Sequence, residues 1–405
     1  MRLFLAWRNL LAKPVQSGLT VLVVAATFAM MIVITLLFGG IHDGLVRATE
    51  PFDLLVGAKG SPNQLVLNTV FLQDAPIGNI SHEIYEELAA NPLVSAAVPL
   101  AFGDSYNGYA IVGAGSGIFE HQPKTGQQAW LELAAGRPYR QPFEAVVGAK
   151  AARELALKPG DSFQSMHGLI PGGESHEHPY QVVGILQPVY GPYDRAIFVS
   201  IESIWQAHEK HGHEPAAEAE APSADHAHGQ EVTAIMVKPK GYSEAMRLYQ
   251  QFQHQPGAQM VFPAQVIVQL FAVLGQGEQV LKPIACMIVA MGLLIMALSL
   301  YWSAVSRLRE RAILRALGAS SRDMFTIMIT EGALLTMAGV AVGGLTGHGL
   351  YALVSHALET KTAILLTNSF TAAEGLIILI GVVLGLLTGA IPALLTYRTE
   401  VARHL

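Results

Sequence analysis

The sequence predicts an α-helical membrane protein with four transmembrane helices, one before and three after a large exported α+β domain. Three observations predict this fold class. Only 14% of the 405 residues are charged and the mean hydropathy is +0.38, which is far from the composition of a soluble protein. Four long apolar runs are present. A long stretch of mixed polar and apolar residues separates the first run from the other three.

The four apolar runs are each long enough to cross about 30 Å of hydrocarbon as a helix, which takes roughly 18 residues or more. We assign transmembrane helices to residues 19–40, 283–305, 326–355 and 372–396. Glu331 lies near the start of the third run, where an ionised side chain facing lipid is costly. We therefore expect Glu331 to pair with a neighbour or to lie at an interface.

Basic residues set the orientation, because Lys and Arg near helix ends are retained in the cytoplasm. They cluster in residues 1–18, 306–325 and 397–405, which a four-helix chain places on the same side. Both termini are therefore predicted to be cytoplasmic. Residues 41–282 form the exported domain, and residues 356–371 form a short exported loop.

The exported segment alternates short β-branched runs with amphipathic stretches. Runs bounded by Gly, Pro or Asp predict strands at residues 145–147, 180–186, 196–199 and 231–237. Helices are predicted at residues 81–91, with Ser81 as a possible N-cap, and at residues 242–253. The single cysteine, Cys286, lies in the second apolar run, so the exported α+β domain must be stable without a disulfide.

The sequence lacks common motifs of nucleotide binding and of catalysis. No G-x-x-x-x-G-K-[ST] loop is present to hold a nucleotide, and no G-x-S-x-G or H-E-x-x-H pattern places a nucleophile or a catalytic metal. We predict that the chain is not an enzyme, has no catalytic residue and binds no nucleic acid.

The cytoplasmic segment between the second and third apolar runs carries a regular charge pattern. Arg307, Arg311 and Arg315 are spaced by four, so they form one basic stripe on a helix. Gly318 suits the end of that helix, and Ser320 or Ser321 can cap the next one. The pattern indicates a short amphipathic helix against a partner protein, although retention of positive charge in the cytoplasm is an alternative explanation of the arginines.

Four stretches together resemble the MacB/FtsX-type ABC transporter permeases, a group that includes the lipoprotein-releasing permeases. RERAILRALGASSRDMFTIMITEGALL resembles the segment after the second membrane helix of that family. VVGAKAARELALKPGDSF and YQVVGILQPVYGPYDRAIFVSIESIW resemble its exported core domain, and MRLFLAWRNLLAKP resembles its amphipathic N-terminal helix. With the one-plus-three topology, the resemblance covers nearly the whole chain.

The resemblance implies a permease subunit of the bacterial inner membrane that works as a homodimer or heterodimer. Each pair would bind cytoplasmic ATPase subunits, which hold ATP and Mg²⁺, while this chain holds no nucleotide. ATP-driven closure of the helices would move the exported domains, an action called mechanotransmission. The resemblance implies a coupling helix that contacts the ATPase through Arg307, Glu310, Arg311, Arg315, Gly318 and Arg322.

Glycines recur at four-residue spacing in the last two apolar runs. Small residues at this spacing allow close helix approach in a membrane. They predict helix packing, either between two subunits or within one, at Gly343, Gly347, Gly381, Gly385 and Gly389.

A histidine-rich tract at residues 206–230 interrupts the exported domain, and its Ala, Glu and Pro content cannot bury apolar surface. Neutral imidazoles are good ligands for Zn²⁺. The tract and the nearby ESHEH stretch predict a zinc site formed from His176, His178, His208, His211, His213, His226 and His228. A solvated loop without metal is the alternative.

Three functions are compatible with the sequence. The leading one is efflux or extraction of a periplasmic or membrane substrate. The second is zinc homeostasis through the histidine-rich loop, and the third is transmembrane signalling to a cell-wall hydrolase, as in the FtsX branch. A periplasmic adaptor or substrate-binding protein is a further candidate partner.

Overall fold

The computed structural model of the protein describes residues 2–124, 126, 128–168, 176, 178–209, 230–306, 319–362, 370 and 372–397. The chain divides into two compact units. One unit consists of Met1–Ile41, Leu274–Ala357 and Leu366–Leu405, and the other of His42–Val273 and Leu358–Leu365. We call them the membrane unit and the exported unit, after the locations that the sequence predicts for them.

The chain begins with two helices and then alternates strands with short helices. Its N-terminal half contains α1 (Arg2–Leu11), α2 (Pro14–Thr49), β1 (Leu54–Ala58), α3 (Pro62–Phe71), β2 (Ile80–Ser81), α4 (His82–Ala90), β3 (Val94–Tyr106), β4 (Tyr109–Ala114), β5 (Leu133–Gly136), β6 (Glu144–Val147), α5 (Ala149–Glu154), β7 (Ser162–Phe163), β8 (Met166–His167) and β9 (Tyr180–Leu186). Then follow β10 (Ile197–Ser200), α6 (Ile201–Glu209), β11 (Glu231–Val232), β12 (Ala234–Pro239), α7 (Tyr242–Phe252), β13 (Ala258–Val261), α8 (Pro263–Ser306), α9 (Ser321–Thr362) and α10 (Ala372–Tyr397).

Each of the four apolar runs lies within a helix, namely α2, α8, α9 and α10. Judged by length and composition, α2 and residues Arg322–Glu359 of α9 are sufficient to cross a membrane. The apolar stretches described within α8 and α10 are shorter. The helices are therefore confirmed as helices, and the count of four membrane crossings stays a prediction.

Polar side chains within the membrane unit pair with one another. Asn9 Nδ2 donates to Glu331 Oε1 over 2.6 Å, which supplies the neighbour expected for this buried carboxylate. His348 Nε2 lies 2.8 Å from Oε2 of the buried Glu374. These contacts join α9 to α1 and to α10, and they lower the cost of carrying ionisable groups among apolar helices.

Three glycines of α9, namely Gly339, Gly343 and Gly347, lie against α2 of the same chain. A Cβ added at Gly343 would lie 2.6 Å from the Ala25 carbonyl oxygen, and one at Gly347 would lie 3.1 Å from Ala29 Cα. A small residue is required at both positions because the two backbones approach closely. A Cβ at Gly381 would collide with Phe28 and one at Gly385 with Thr336, both in the same membrane unit, and Gly389 lies in α10.

The N-terminus of α9 is fixed by a reciprocal side-chain cap. Ser320 Oγ accepts from the Asp323 N–H at 3.2 Å, and the Ser320 N–H donates back to Asp323 Oδ2 at 3.0 Å. This is the capping-box arrangement, and it selects Ser320 of the two residues that the sequence offered.

The exported unit is built on a mixed sheet. Among the described residues, eleven strands join it, nine of them in the order β13-β1-β12-β3-β4-β10-β6-β9-β5, with β7 paired to β9 and β8 paired to β3. Strand β3 is thirteen residues long and pairs with β12, β4 and β8. The α+β prediction for this region is confirmed.

Both faces of the sheet are covered, and β1 demonstrates this directly. Successive side chains of a strand point to opposite faces, yet Leu54, Leu55 and Val56 are all fully buried. Leu55 belongs to a core with α3 residues such as Val66, whereas Leu54 and Val56 belong to a core with Leu88 of α4 and α7 residues.

The strand predicted at residues 231–237 is divided in two. β11 pairs with β2 in a separate two-stranded sheet, while β12 runs in the main sheet between β1 and β3. The division falls at the buried Thr233, whose hydroxyl accepts from the Phe102 N–H at 3.1 Å and donates to Asn79 Oδ1 at 3.2 Å. The Thr233 N–H still donates to the Leu100 carbonyl of β3 over 2.9 Å, so the side-chain bonds add to the backbone bond at that residue. Strand β9 coincides with the predicted residues 180–186.

Glu144, the first residue of β6, forms an ion pair with Arg137. Arg137 donates to both oxygens of the nearly buried Glu144, over 2.8 Å and 2.5 Å, and the N–H groups of Arg140 and Gln141 also donate to Glu144 Oε2. The hydrogen bonds from Arg137 lower the pKa of Glu144 from 4.5 to about 2, and the two backbone donors add to this effect.

The close approach of α9 to α2 can be tested with matched alanine substitutions. Gly343→Ala should destabilise the membrane unit by about 1–3 kcal/mol, because the methyl group overlaps the Ala25 carbonyl. Gly344→Ala on the same helix is the control, since nothing lies within 4 Å of its added Cβ. Thermal unfolding in mild detergent measures both. Equal unfolding temperatures for the two variants would contradict this packing.

The Glu144 ion pair predicts a pH-dependent stability. Because the folded-state pKa of Glu144 is lowered, the carboxylate stabilises the fold above pH 4.5, and this contribution is lost as the pH falls toward about 2. Glu144→Gln should therefore unfold at a lower temperature than the wild type at pH 7, and the difference should shrink between pH 4.5 and pH 2. The exposed Glu86→Gln on α4 is the control. Identical unfolding of wild type and Glu144→Gln at pH 7 would exclude a stabilising ion pair.

Candidate metal centre

Four side chains with metal-ligating atoms meet in the exported unit. They are Asp104 of β3, His167 of β8, His176 in the segment before β9, and His208 in the last turn of α6. Each offers one ligand atom, and these four atoms all lie within 4.8 Å of one another. We call these four residues the Asp104 cluster.

Strand pairing brings the first two members together. In the antiparallel pair of β3 and β8, Asp104 lies directly opposite His167. The Gly168 N–H donates to the Gly103 carbonyl over 2.7 Å and holds the two strands next to this position. The pairing of β3 with β4 is irregular between Phe102 and Ser105, and such a bulge changes the direction in which side chains point. The local irregularity therefore coincides with the cluster.

The other two members are held by separate contacts. The His176 N–H donates to the Ser165 carbonyl over 2.9 Å, which ties the segment before β9 to the residues next to β8. His208 is positioned by α6, which follows directly after the fully buried strand β10. The His176 and His208 rings stack with centroids 5.0 Å apart, and the His167 ring lies 5.4 Å from that of His208.

The carboxylate of Asp104 is the centre of the cluster. Its Oδ1 lies 3.5 Å from His167 Nδ1, 3.2 Å from His176 Nε2 and 3.3 Å from His208 Nε2. The side chain of Asp104 is 0% exposed, that of His176 is 7% exposed, and those of His208 and His167 are 35% and 65% exposed. One side of the cluster is thus buried and the other is open to solvent.

Tyr180, the first residue of β9, is fully buried and lies close enough to Asp104 to be affected by its charge. Burial of its ring, and secondarily the negative charge of Asp104, raise the pKa of the Tyr180 hydroxyl above its ordinary value. A carboxylate in such surroundings is costly unless positive charge or hydrogen-bond donors compensate it. The three imidazoles can compensate the carboxylate by donating hydrogen bonds to it. A cation bound by all four side chains would compensate it as well.

The donor set indicates which chemistry is available. One carboxylate oxygen and three imidazole nitrogens suit a borderline metal ion such as Zn²⁺, whereas Ca²⁺ and Mg²⁺ prefer oxygen ligands. Four protein ligands would fill a tetrahedral ion and leave no position for a reacting water. The arrangement is therefore suited to holding a metal rather than to catalysis.

Two of the seven histidines predicted as ligands belong to the Asp104 cluster, namely His176 and His208. His178 lies outside it, with its ring centroid 5.1 Å from that of Phe143. The remaining four, His211, His213, His226 and His228, lie outside the described residues.

Sequence patterns did not indicate Asp104 and His167. Both are single polar residues without a ligand-like spacing, and β pairing joins them across 63 positions of sequence. A charged residue within the stretch AFGDSY was the available signal.

The residues predicted to contact an ATPase lie almost entirely outside the part of the chain that the structure describes. Arg307, Glu310, Arg311, Arg315 and Gly318 are not among the described residues. Arg322 is described, and it is exposed in the first turn of α9.

Two protein-family models match the chain in succession. The first, described as a MacB-like periplasmic core domain, matches residues 17–251. The second, described as an FtsX-like permease C-terminal domain, matches residues 284–401. Together they account for most of the chain, including most of the exported unit, the second half of α8, and all of α9 and α10.

Solved structures of two exported domains are also similar to this chain. The crystal structure of the periplasmic region of MacB from Actinobacillus actinomycetemcomitans is 11% identical, covers 55% of this chain and 95% of its own, and gives a TM-score of 0.35. The extracellular domain of the noncanonic ABC-type transporter YknZ from Gram-positive bacteria is 13% identical, covers 51% and 98%, and gives a TM-score of 0.30. No curated protein matches the sequence.

Proposed function

Because the chain belongs to the MacB/FtsX-type ABC transporter permease family, we propose that it couples ATP hydrolysis by a separate cytoplasmic ATPase to movement of its exported domain. The observation that carries the proposal is the order of the two matched segments, with a core domain followed by the permease helices. The movement would drive efflux of a periplasmic substrate or extraction of a substrate from the membrane.

The ends of two long helices support mechanical coupling because they are part of the exported core. Leu45 and Ala48, near the end of α2, pack against the cluster that contains Phe52 and Val66. Val266 and Ile267, near the start of α8, are members of the same cluster. A displacement of either helix end therefore acts on packed core side chains rather than on a loose loop, and close-packed cores transmit strain.

The two helix ends also contact each other. The rings of His42 in α2 and Phe271 in α8 meet edge to face, with centroids 5.1 Å apart. Helix α2 has 36 residues and α8 has 44, which correspond to about 54 Å and 66 Å at 1.5 Å per residue. Both lengths exceed the roughly 30 Å of hydrocarbon that a membrane helix must cross. Each helix is thus long enough to cross a membrane and still end in the exported core.

A cytoplasmic attachment completes the proposed coupling. Arginine forks onto carboxylates and backbone carbonyls, so Arg311 and Arg315 would hold an ATPase surface in a defined geometry. The Ser320–Asp323 cap starts α9 within a few residues of this segment. Force applied to the arginines would therefore reach α9 through a short connection.

A second permease subunit is part of this proposal. The positions at Gly343, Gly347, Gly381 and Gly385 are filled by side chains and backbone of the same chain. We propose that the partner subunit contacts other apolar surfaces of the membrane unit. One such apolar surface is formed by exposed residues of α8 such as Met291, Leu294 and Leu298.

Zinc homeostasis is a second candidate function, and the Asp104 cluster is the specific observation that favours it. In this version the exported domain moves in response to bound zinc or acts on a zinc-carrying partner. The ATPase coupling is the same in both versions, so the two candidates differ only in what the exported domain recognises.

Charge reversal tests the attachment to the ATPase. Arg311→Glu combined with Arg315→Glu should leave the chain in the membrane but abolish co-purification of the co-expressed ATPase, because the basic stripe would then repel its acceptor. Arg153→Glu combined with Lys158→Glu, at exposed positions of the exported unit, is the matched charge control and should retain the ATPase. Normal recovery of the ATPase with the Arg311 and Arg315 variant would overturn the coupling-helix assignment.

A further inference from the structure

We infer that Asp104, His167, His176 and His208 form a Zn²⁺ site in the exported domain. The inference concerns a binding site that the permease function does not require, and it stands on the geometry of these four side chains. It also differs from the sequence-based expectation, because two of the ligands come from the sheet rather than from the histidine-rich tract.

The spacing of the ligand atoms fits a tetrahedral ion. Bonds of about 2.0–2.1 Å place two ligands of a tetrahedral zinc about 3.3–3.4 Å apart. The three distances from Asp104 Oδ1 to the imidazole nitrogens are 3.2, 3.3 and 3.5 Å, so each has the length of one edge of such a tetrahedron. These are three of the six edges of the tetrahedron, and the other three, between the imidazole nitrogens, lie within 4.8 Å.

The charge of the cluster also favours a divalent cation. The groups that face the buried Asp104 carboxylate are His167 from β8, His176 from the segment before β9 and His208 from α6. The Asp104 side chain is 0% exposed, so water does not compensate the charge of an ionised carboxylate there. A Zn²⁺ ion would compensate that charge directly, and neutral histidine is also the protonation state that binds the metal.

The site has an open side through which an ion can reach it. His167 and His208 are the more exposed ligands, whereas Asp104 and His176 form the buried side. Bound zinc would link β8, the segment around His176 and the end of α6 to β3. Binding to the folded chain alone stabilises it by mass action, so zinc should raise the unfolding temperature of the protein.

The test must separate the Asp104 cluster from the histidine-rich tract. The tract variant replaces His211, His213, His226 and His228 by alanine and keeps the cluster. The cluster variant adds His167→Ala and His208→Ala, which remove the two more exposed ligands and leave the buried Asp104 and His176 in place. His178→Ala in the tract variant is the matched control, since His178 is exposed and lies outside the cluster.

Zinc affinity is measured on the full chain in detergent, after removal of metal, by titration with Zn²⁺ against a chromogenic chelator. The tract variant should bind one Zn²⁺ per chain at the site, with the same affinity as the His178→Ala control. The cluster variant should bind at least about tenfold more weakly, because two of four ligands are lost. Zinc should raise the unfolding temperature of the tract variant and not that of the cluster variant.

Two results would overturn the inference: no zinc binding by the tract variant, or equal zinc affinity of the tract and cluster variants. X-ray absorption at the zinc edge gives an independent readout, and nitrogen and oxygen neighbours at about 2.0–2.2 Å are expected. These measurements contain no ATPase. A failure of the permease proposal would therefore appear only in ATPase recovery, and a failure of the zinc site only in zinc binding.

Discussion

The exported domain depends on strand β3. Its thirteen residues pair with β12 and β4 along most of their length, and near its C-terminal end it also pairs with β8. Pairing on both edges fixes the strand in the middle of the sheet, where Leu100 is fully buried. The irregularity between Phe102 and Ser105 is where Asp104 is placed opposite His167. The same strand that organises the fold therefore positions the candidate metal ligands.

The membrane unit combines close backbone approach with an apolar cluster that includes Phe28, Met296 and Leu335. Gly343 and Gly347 let α9 lie against Ala25 and Ala29 of α2, and buried polar pairs connect α9 to α1 and α10. Because lipid is as apolar as leucine, helix association in a membrane rests on such packing and hydrogen bonds. The ends of α2 and α8 pack in the exported core.

The sequence was sufficient for features that depend on local patterns. The short β-branched run YQVVGIL predicted β9 to the residue, and Ser81 caps α4 as its position before an amphipathic run indicated. The apolar runs fell within helices, although α2 extends to Thr49 because its sequence remains compatible with a helix after the apolar run ends. Features that depend on contacts between distant segments of the chain could not be predicted. Periodicity cannot say that Thr233 will divide a strand, or that α2 is the neighbour of Gly343. The metal ligands show the same limit, since His176 and His208 stood in histidine-rich sequence whereas Asp104 and His167 meet only through strand pairing.

The central claim is that ATP hydrolysis by a partner moves the exported unit. Cys286 is the only cysteine in the sequence, so a Cys286→Ser chain can carry labels at chosen positions. Spin labels at Glu86→Cys, exposed on α4, and at Leu353→Cys, exposed on α9, report one distance between the exported and membrane units. Pulsed electron resonance on the chain bound to its ATPase would measure that distance with and without ATP. The account predicts that ATP shifts the distance distribution, and that the shift is lost in the Arg311→Glu, Arg315→Glu chain. A distribution that is the same with and without ATP, in a complex that hydrolyses ATP, would contradict it.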